Sequence, residues 1–128
     1  MHTTEQQWKS SCEADRESLV AAGHGNPHVQ QLDEAVAAFL AKPTPKGASA
    51  VYEAVGRFSC DLARRLPAEA LPAAPARRID QFHAERRVLA RLVAEHRASL
   101  EPEKLLPRLL ATFGMLRRTM AALTIAWW

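Results

Sequence analysis

The segment spanning residues 106–127 carries an apolar repeat whose spacing alternates between three and four residues. The repeat consists of Leu106, Leu109, Phe113, Leu116, Met120, Leu123 and Trp127. Because an α-helix turns once every ~3.6 residues, this spacing places all these side chains on one side of a single helix. The pattern predicts a helix about three heptads long, around which the rest of the chain is arranged.

The opposite side of this predicted helix is also largely apolar. It carries Ala111, Gly114, Met115, Ala122 and Ile125. A helix that is apolar nearly all round belongs in a protein interior or in an interface. It is therefore either the central helix of a monomeric bundle or a helix with one face inside the fold and the other against a second chain. The regular repeat and the final Trp127-Trp128, each burying ~150–250 Å² when covered, favour association.

Four more segments show helical periodicity, over about residues 4–22, 27–41, 48–66 and 76–98. Alanine is abundant and β-branched residues are few, which favours helices over strands. We expect an all-α fold, a compact bundle of about five helices, in a single domain over residues 1–128. Its C-terminal helix is expected to be central or at a dimer interface. A connection rich in proline and alanine, residues 67–75, separates its two halves.

The two halves differ in charge. The chain has a net charge of +3. Residues 1–66 hold seven Lys or Arg against eight Asp or Glu, whereas residues 77–128 hold ten against five. The N-terminal half is therefore near neutral and the C-terminal half is basic. Its arginines suit carboxylate and phosphate groups alike, so the charge is consistent with an acidic protein partner or with nucleic acid.

No residue pattern points to catalysis or metal binding. His24 and His28 are four residues apart, but a glycine and a proline lie between them, so no helix holds both. Asp80 and His83 have the i, i+3 spacing of di-iron bundles, but no matching second set is present. We predict no enzymatic activity, no metal and no cofactor.

The two cysteines, Cys12 and Cys60, form neither a disulfide framework nor a zinc motif. The polar N-terminal residues 1–8 lack the apolar core of a signal peptide. Arg117-Arg118 interrupt the longest apolar run, which argues against a membrane span. These features predict a cytoplasmic protein without a membrane contact.

Two further positions carry individual predictions. Glu85 is expected at the edge of the inward face of the fourth helix, near His96. It either forms a partly buried pair with that histidine, reaches solvent, or meets Arg86 or Arg118. Gly56 lies off the apolar stripe of the third helix and is expected to mark a close approach between two helices.

The expected function is that of a small, bacterial, homodimeric regulatory protein that binds another protein as an adaptor, anti-activator or inhibitor. A transcriptional regulator is one such partner. Apolar anchors beside arginines are typical of interface hot spots. The expected interface consists of Leu109, Phe113, Leu116, Met120, Leu123, Trp127 and Trp128, with Arg117 and Arg118 at its rim. The alternative is a DNA-binding regulatory protein that uses the basic C-terminal half.

Overall fold

The computed structural model describes residues 4–128. Over this range the chain forms five α-helices and one 3₁₀ turn, with no strand. The helices are α1 (Thr4–Ala21), α2 (Pro27–Ala41), α3 (Pro45–Arg65), α4 (Ala73–Ala98) and α5 (Leu106–Trp127), and the 3₁₀ turn is Pro102–Leu105. The prediction of an all-α bundle of about five helices is confirmed. The sequence predictions for residues 1–3 lie outside the described range.

The helix starts follow from local chemistry. Asn26 accepts a hydrogen bond from the backbone of His28 at 2.9 Å, and Pro27 fills the first helical position of α2. Thr44 caps α3 in the same way, accepting from the backbone nitrogen of Gly47 at 3.0 Å. A side-chain acceptor of this kind satisfies one of the backbone donors that every helix leaves unpaired at its start.

Two predicted boundaries are wrong by three residues. Helix α3 begins at Pro45 rather than near residue 48, and α4 begins at Ala73, inside the predicted connection. Pro75 lies in the first turn of α4, where backbone N–H groups have no acceptor within the helix, so a proline removes no hydrogen bond there. Pro107 likewise lies in the first turn of α5, so the chain starts a new helix there.

A four-helix core is built from one phenylalanine of each of α2 to α5. Phe39, Phe58, Phe82 and Phe113 are all fully buried. Phe39 meets Phe113 edge to face at 5.7 Å, and Phe58 meets Phe82 in the same geometry at 5.4 Å. Consecutive helices pack against each other, and α5 returns to pack on α2, which closes the bundle. Helix α1 lies outside this core and packs mainly on α2.

The close approach between helices falls at a different glycine from the one expected. A side chain at Gly47 would lie 3.3 Å from the ring of Phe39 and 3.2 Å from the Thr44 hydroxyl, so the start of α3 leaves little room there. At Gly56 an added Cβ would meet only the guanidinium of Arg86, at an ordinary 3.8 Å. The expectation for Gly56 is therefore wrong.

Candidate partner-binding face

The apolar seam of α5 is enclosed by its own chain. Leu109, Phe113, Leu116, Met120 and Leu123 are each 0% exposed and belong to the bundle core. A side chain without accessible surface cannot touch a partner while the fold is intact. The prediction that these five residues form an intermolecular interface is therefore corrected, because α2, α3 and α4 already cover that side of the helix.

Arg117 is also inside the fold rather than at a rim. It is 5% exposed, and its Nε donates to Oδ1 of Asp33 on α2 at 2.6 Å, while Nη2 donates to Oδ2 at 3.3 Å. Asp15 of α1 adds a second carboxylate at 3.6 Å. Burial alone would lower the pKa of Arg117, but the hydrogen bond and the charge of Asp33 outweigh it and raise that pKa. Arg117 is thus a permanent cation that joins α1, α2 and α5.

Cys12 borders the same ion pair. The thiol is 3% exposed, and burial raises the pKa of Cys12 to about 12, with further increases from the charge of Asp33 and a hydrogen bond to it. Thiolates, not thiols, act as nucleophiles, so this cysteine is inert at neutral pH in the folded protein. The arrangement therefore supplies a structural junction and no nucleophile.

The two tryptophans that ended the predicted interface are half-buried against their own chain. The ring of Trp128 stacks on Phe58, with centroids 5.0 Å apart and planes 14° from parallel. The guanidinium of Arg65 lies 4.4 Å from the ring centre of Trp128, a cation–π distance. Trp127 also packs against the core. Much of the apolar surface of these two indole rings is thus already buried within the fold.

The opposite side of α5 remains in solvent. We call it the outer α5 face, and it consists of Ala111, Met115, Arg118, Ala122 and Ile125, again spaced by four and three residues. Met115 is 38% and Ile125 is 56% exposed. Ala111 and Arg118 are exposed as well, and Ala122 is partly exposed. This face therefore presents four apolar side chains in a row along the helix, with the guanidinium of Arg118 in the middle.

A groove of 340 Å³ runs between the outer α5 face and α4. Arg78 and Gln81 of α4 line it, opposite Met115, Arg118 and Ala122 of α5. Both arginines are exposed. The groove thus combines an apolar wall with two cationic groups, which suits a ligand that is partly apolar and partly acidic.

Glu85 lies next to this groove and is bound by neutral donors. The hydroxyl of Thr119 donates to its carboxylate at 2.9 Å, and the side-chain amide of Gln81 donates at 2.9 Å. Glu85 is 8% exposed. The expectation that Arg86 or Arg118 would be its partner is wrong, since Arg86 instead reaches the hydroxyl of Ser59 on α3 at 3.2 Å. Arg118 consequently keeps its charge available at the surface.

Several arginines of α4 and α5 have no partner within residues 4–128. They are Arg77, Arg78, Arg87, Arg91 and Arg118, all exposed and without a hydrogen bond or ion pair to the described residues. Other arginines of the same half are engaged, since Arg108 pairs with Glu95 at 3.6 Å and Arg97 donates to Ser49 at 2.9 Å. The uncompensated positive charge of this half therefore lies along α4 and the outer α5 face.

The remaining candidates for chemistry are dispersed. Among the described residues no three histidine, cysteine or acidic side chains are placed to hold a metal ion. His24 and His28 point to different partners: Nδ1 of His24 lies 3.1 Å from the carbonyl oxygen of Trp128, and Nε2 of His28 lies 3.2 Å from Asp61.

Comparison with known proteins adds no functional information. No protein family, no curated protein and no solved structure matches this chain.

One helical stretch has the length and composition of a membrane span. The helical stretch Pro102–Trp127 is long and apolar enough to cross a bilayer, although half of its most apolar 18 residues are buried inside the fold. The core helix of a soluble protein meets the same criterion, so the expectation of a protein without a membrane contact stays a prediction.

Proposed function

We propose that the protein is a non-enzymatic regulator that binds an acidic, amphipathic segment of another protein on the outer α5 face. The observation that carries the proposal is an exposed apolar stripe that includes the unpaired Arg118 and faces the unpaired Arg78 across the groove. An apolar centre beside arginines is the composition of many interface hot spots. Acting as an adaptor, anti-activator or inhibitor requires only such a face.

The unpaired positive charges at the groove favour an acidic partner. Arg78 and Arg118 flank the groove, and neither has a carboxylate partner in the described part of the chain. An acidic side chain of a partner would supply charge-assisted hydrogen bonds to these guanidinium groups. Met115, with its flexible thioether, adapts to the shape of an apolar side chain lying between them.

Self-association through the same face is a less favourable arrangement. A two-fold dimer places the same patch of both copies in contact. Arg118 would then approach the basic surface of the second copy, and like charges facing each other across an interface are costly. The proposal therefore favours a different, acidic chain over the homodimer expected from the sequence.

Site-specific photo-crosslinking in the native host tests the proposal. A photoreactive residue replaces Ala122 on the outer α5 face, and a matched control replaces Val20, which is 66% exposed on α1. We expect an adduct from position 122 whose crosslinked peptide, identified by mass spectrometry, is rich in Asp and Glu. Arg118→Glu should remove this adduct, whereas Arg91→Glu should leave it intact. Equal adducts at both positions, or insensitivity to Arg118→Glu, would contradict the proposal.

A second candidate function is nucleic-acid binding, and the unpaired arginines of α4 and α5 favour it. Phosphate contacts release counterions, so binding of this kind would weaken steeply as salt is raised. A gel shift with duplex DNA at two salt concentrations distinguishes the two functions. A salt-sensitive shift that Arg87→Gln and Arg91→Gln weaken would favour nucleic acid, since these residues lie away from the groove.

The proposed setting is the bacterial cytoplasm. Both cysteines are free thiols, Cys12 buried and Cys60 exposed, which a reducing compartment maintains.

A further inference from the structure

A second cavity, unrelated to the outer α5 face, opens on the other side of the bundle. It has a volume of 460 Å³ and lies on the outer side of α3, beside α4 and the start of α2. Its lining includes Arg57, Cys60 and Arg64 from α3 and Arg86 from α4. The α3 residues are spaced by three and four positions, so one helix face delivers all of them to the cavity.

The three arginines of this cavity lack carboxylate partners in residues 4–128. Arg57 donates to the side-chain oxygen of Gln31 at 3.3 Å. Arg86 donates to the hydroxyl of Ser59 at 3.2 Å, and its guanidinium lies 5.8 Å from the ring centre of Tyr52. Arg64 is exposed and has no hydrogen bond or ion pair with the described residues. Three cations therefore line one concave surface, and none of them is paired with a carboxylate of the described residues.

Two carboxylates, Glu53 and Asp61, also line the cavity and offset part of the charge of its three arginines. Asp61 is already engaged, since its Oδ2 lies 3.2 Å from Nε2 of His28 and 3.6 Å from Nε of Arg65. Glu53 lines the cavity but is exposed to solvent. The cavity wall therefore has more positive than negative charge available to a ligand.

We propose that this cavity binds a phosphate monoester or a free phosphate ion. Planar guanidinium groups match phosphate oxygens in paired, charge-assisted hydrogen bonds, and this cavity is lined by three of them. The volume falls within the ~300–1,000 Å³ typical of small-molecule sites, so it accommodates a phosphate together with a small organic group. The proposal is independent of the partner-binding face, because it uses α3 and a different side of α4.

Cys60 provides a local readout of occupancy. Its thiol is exposed in the same cavity, whereas Cys12 is buried and its raised pKa suppresses its reactivity. The rate of alkylation by iodoacetamide, a neutral reagent, is measured at constant ionic strength while inorganic phosphate replaces chloride. Mass spectrometry confirms that Cys60 carries the label. We expect phosphate to slow the reaction with a saturable dependence on its concentration.

Two matched variants distinguish phosphate binding in the cavity from a general effect of salt on the protein's charge. Arg64→Gln removes one cation of the cavity, and Arg91→Gln removes an equally unpaired, exposed arginine of α4 outside it. We expect Arg64→Gln to raise the half-saturating phosphate concentration about tenfold or more, the change expected from losing one charge-assisted hydrogen bond. Arg91→Gln should leave it unchanged. Because Arg64 is exposed, both variants should fold, which circular dichroism verifies.

Two results would overturn the proposal. One is protection that grows without saturation, or an alkylation rate that is the same in phosphate and in chloride at equal ionic strength. The other is an equal effect of the two substitutions. Repeating the titration with glycerol phosphate and with adenosine monophosphate then identifies the ligand source. Tighter binding of either ester indicates an organic phosphate, and tighter binding of inorganic phosphate indicates the free ion.

Discussion

Arg117 and Asp33 form an ion pair where apolar packing would be expected between α2 and α5. The side chains are 5% and 4% exposed, with Nε and Oδ1 2.6 Å apart. Both charges have lost most of their hydration, and the geometry of two parallel hydrogen bonds compensates for that loss. Removing either side chain would therefore leave the other as an unpaired buried charge.

Replacing one partner of this pair should be costly. Asp33→Ala leaves the Arg117 guanidinium buried with only the more distant Asp15, and we expect the free energy of unfolding to fall by about 3–5 kcal/mol. The double change Asp33→Leu with Arg117→Met should be less destabilising than Asp33→Ala, because no unpaired charge remains. Urea unfolding measures all three proteins. A double variant that is less stable than the single variant would contradict this account.

The Cys12 thiol predicts a loss of stability in alkaline solution. Its pKa rises from 9.0 in the unfolded chain to about 12 in the folded protein. A raised folded pKa contributes stability that is complete below pH 9 and is lost as the pH rises toward 12. We expect wild-type stability to fall more steeply than that of Cys12→Ala between pH 9 and pH 11. Parallel slopes for the two proteins, measured by urea unfolding across this range, would show that Cys12 is not the cause.

At the scale of the helices, α5 has two apolar faces with different roles. The seam containing Leu116 is covered by the other helices, whereas the outer α5 face remains in water. This difference is an outcome of topology, because α4, α2 and α3 all pack on the seam side of α5.

Truncating the seam should destabilise the fold itself. Leu116 is fully buried, and we expect Leu116→Ala to lower the free energy of unfolding by about 2–5 kcal/mol through lost burial and a cavity. Its melting temperature should not depend on protein concentration, because this side chain is already fully covered by its own chain. A melting temperature that rises with concentration would instead place the seam in an interface.

At the scale of the whole molecule, the positive charge that lies unpaired on α4 and α5 bears on association. A basic surface attracts acidic partners and disfavours contact with a second copy of itself. The apolar stripe of the outer α5 face is short, with Arg118 within it and Arg78 across the groove.

Light scattering at micromolar concentration should therefore give the mass of a monomer, 14.2 kDa, for the purified protein. A dimer mass would contradict the argument from charge repulsion. If that dimer dissociates on Ile125→Asp but not on Val20→Asp, a second copy occupies the outer α5 face and the homodimer expected from the sequence is restored.

The fold class and much of the core could be predicted because helical periodicity and capping are local properties. The stripe of Val51, Val55 and Phe58 on α3 is buried as its spacing indicates, and Asn26-Pro27 starts α2. The candidate site could not be predicted in the same way. Both sides of α5 are apolar, and the regular repeat predicts that the seam is the interface with Arg117 at its rim, whereas the structure buries the seam and Arg117.

Residue spacing is enough to assign side chains to a helix face, because each residue of an α-helix is rotated by a fixed angle from the one before it. Which of the two apolar faces of α5 is covered, and the inward position of Arg117, depend on how the helices pack. Its partner Asp33 lies 84 positions away along the chain. Their pairing depends on how α2 and α5 meet, and no local pattern contains that information. The same packing leaves Met115, Arg118 and Ile125 of the outer α5 face exposed to solvent.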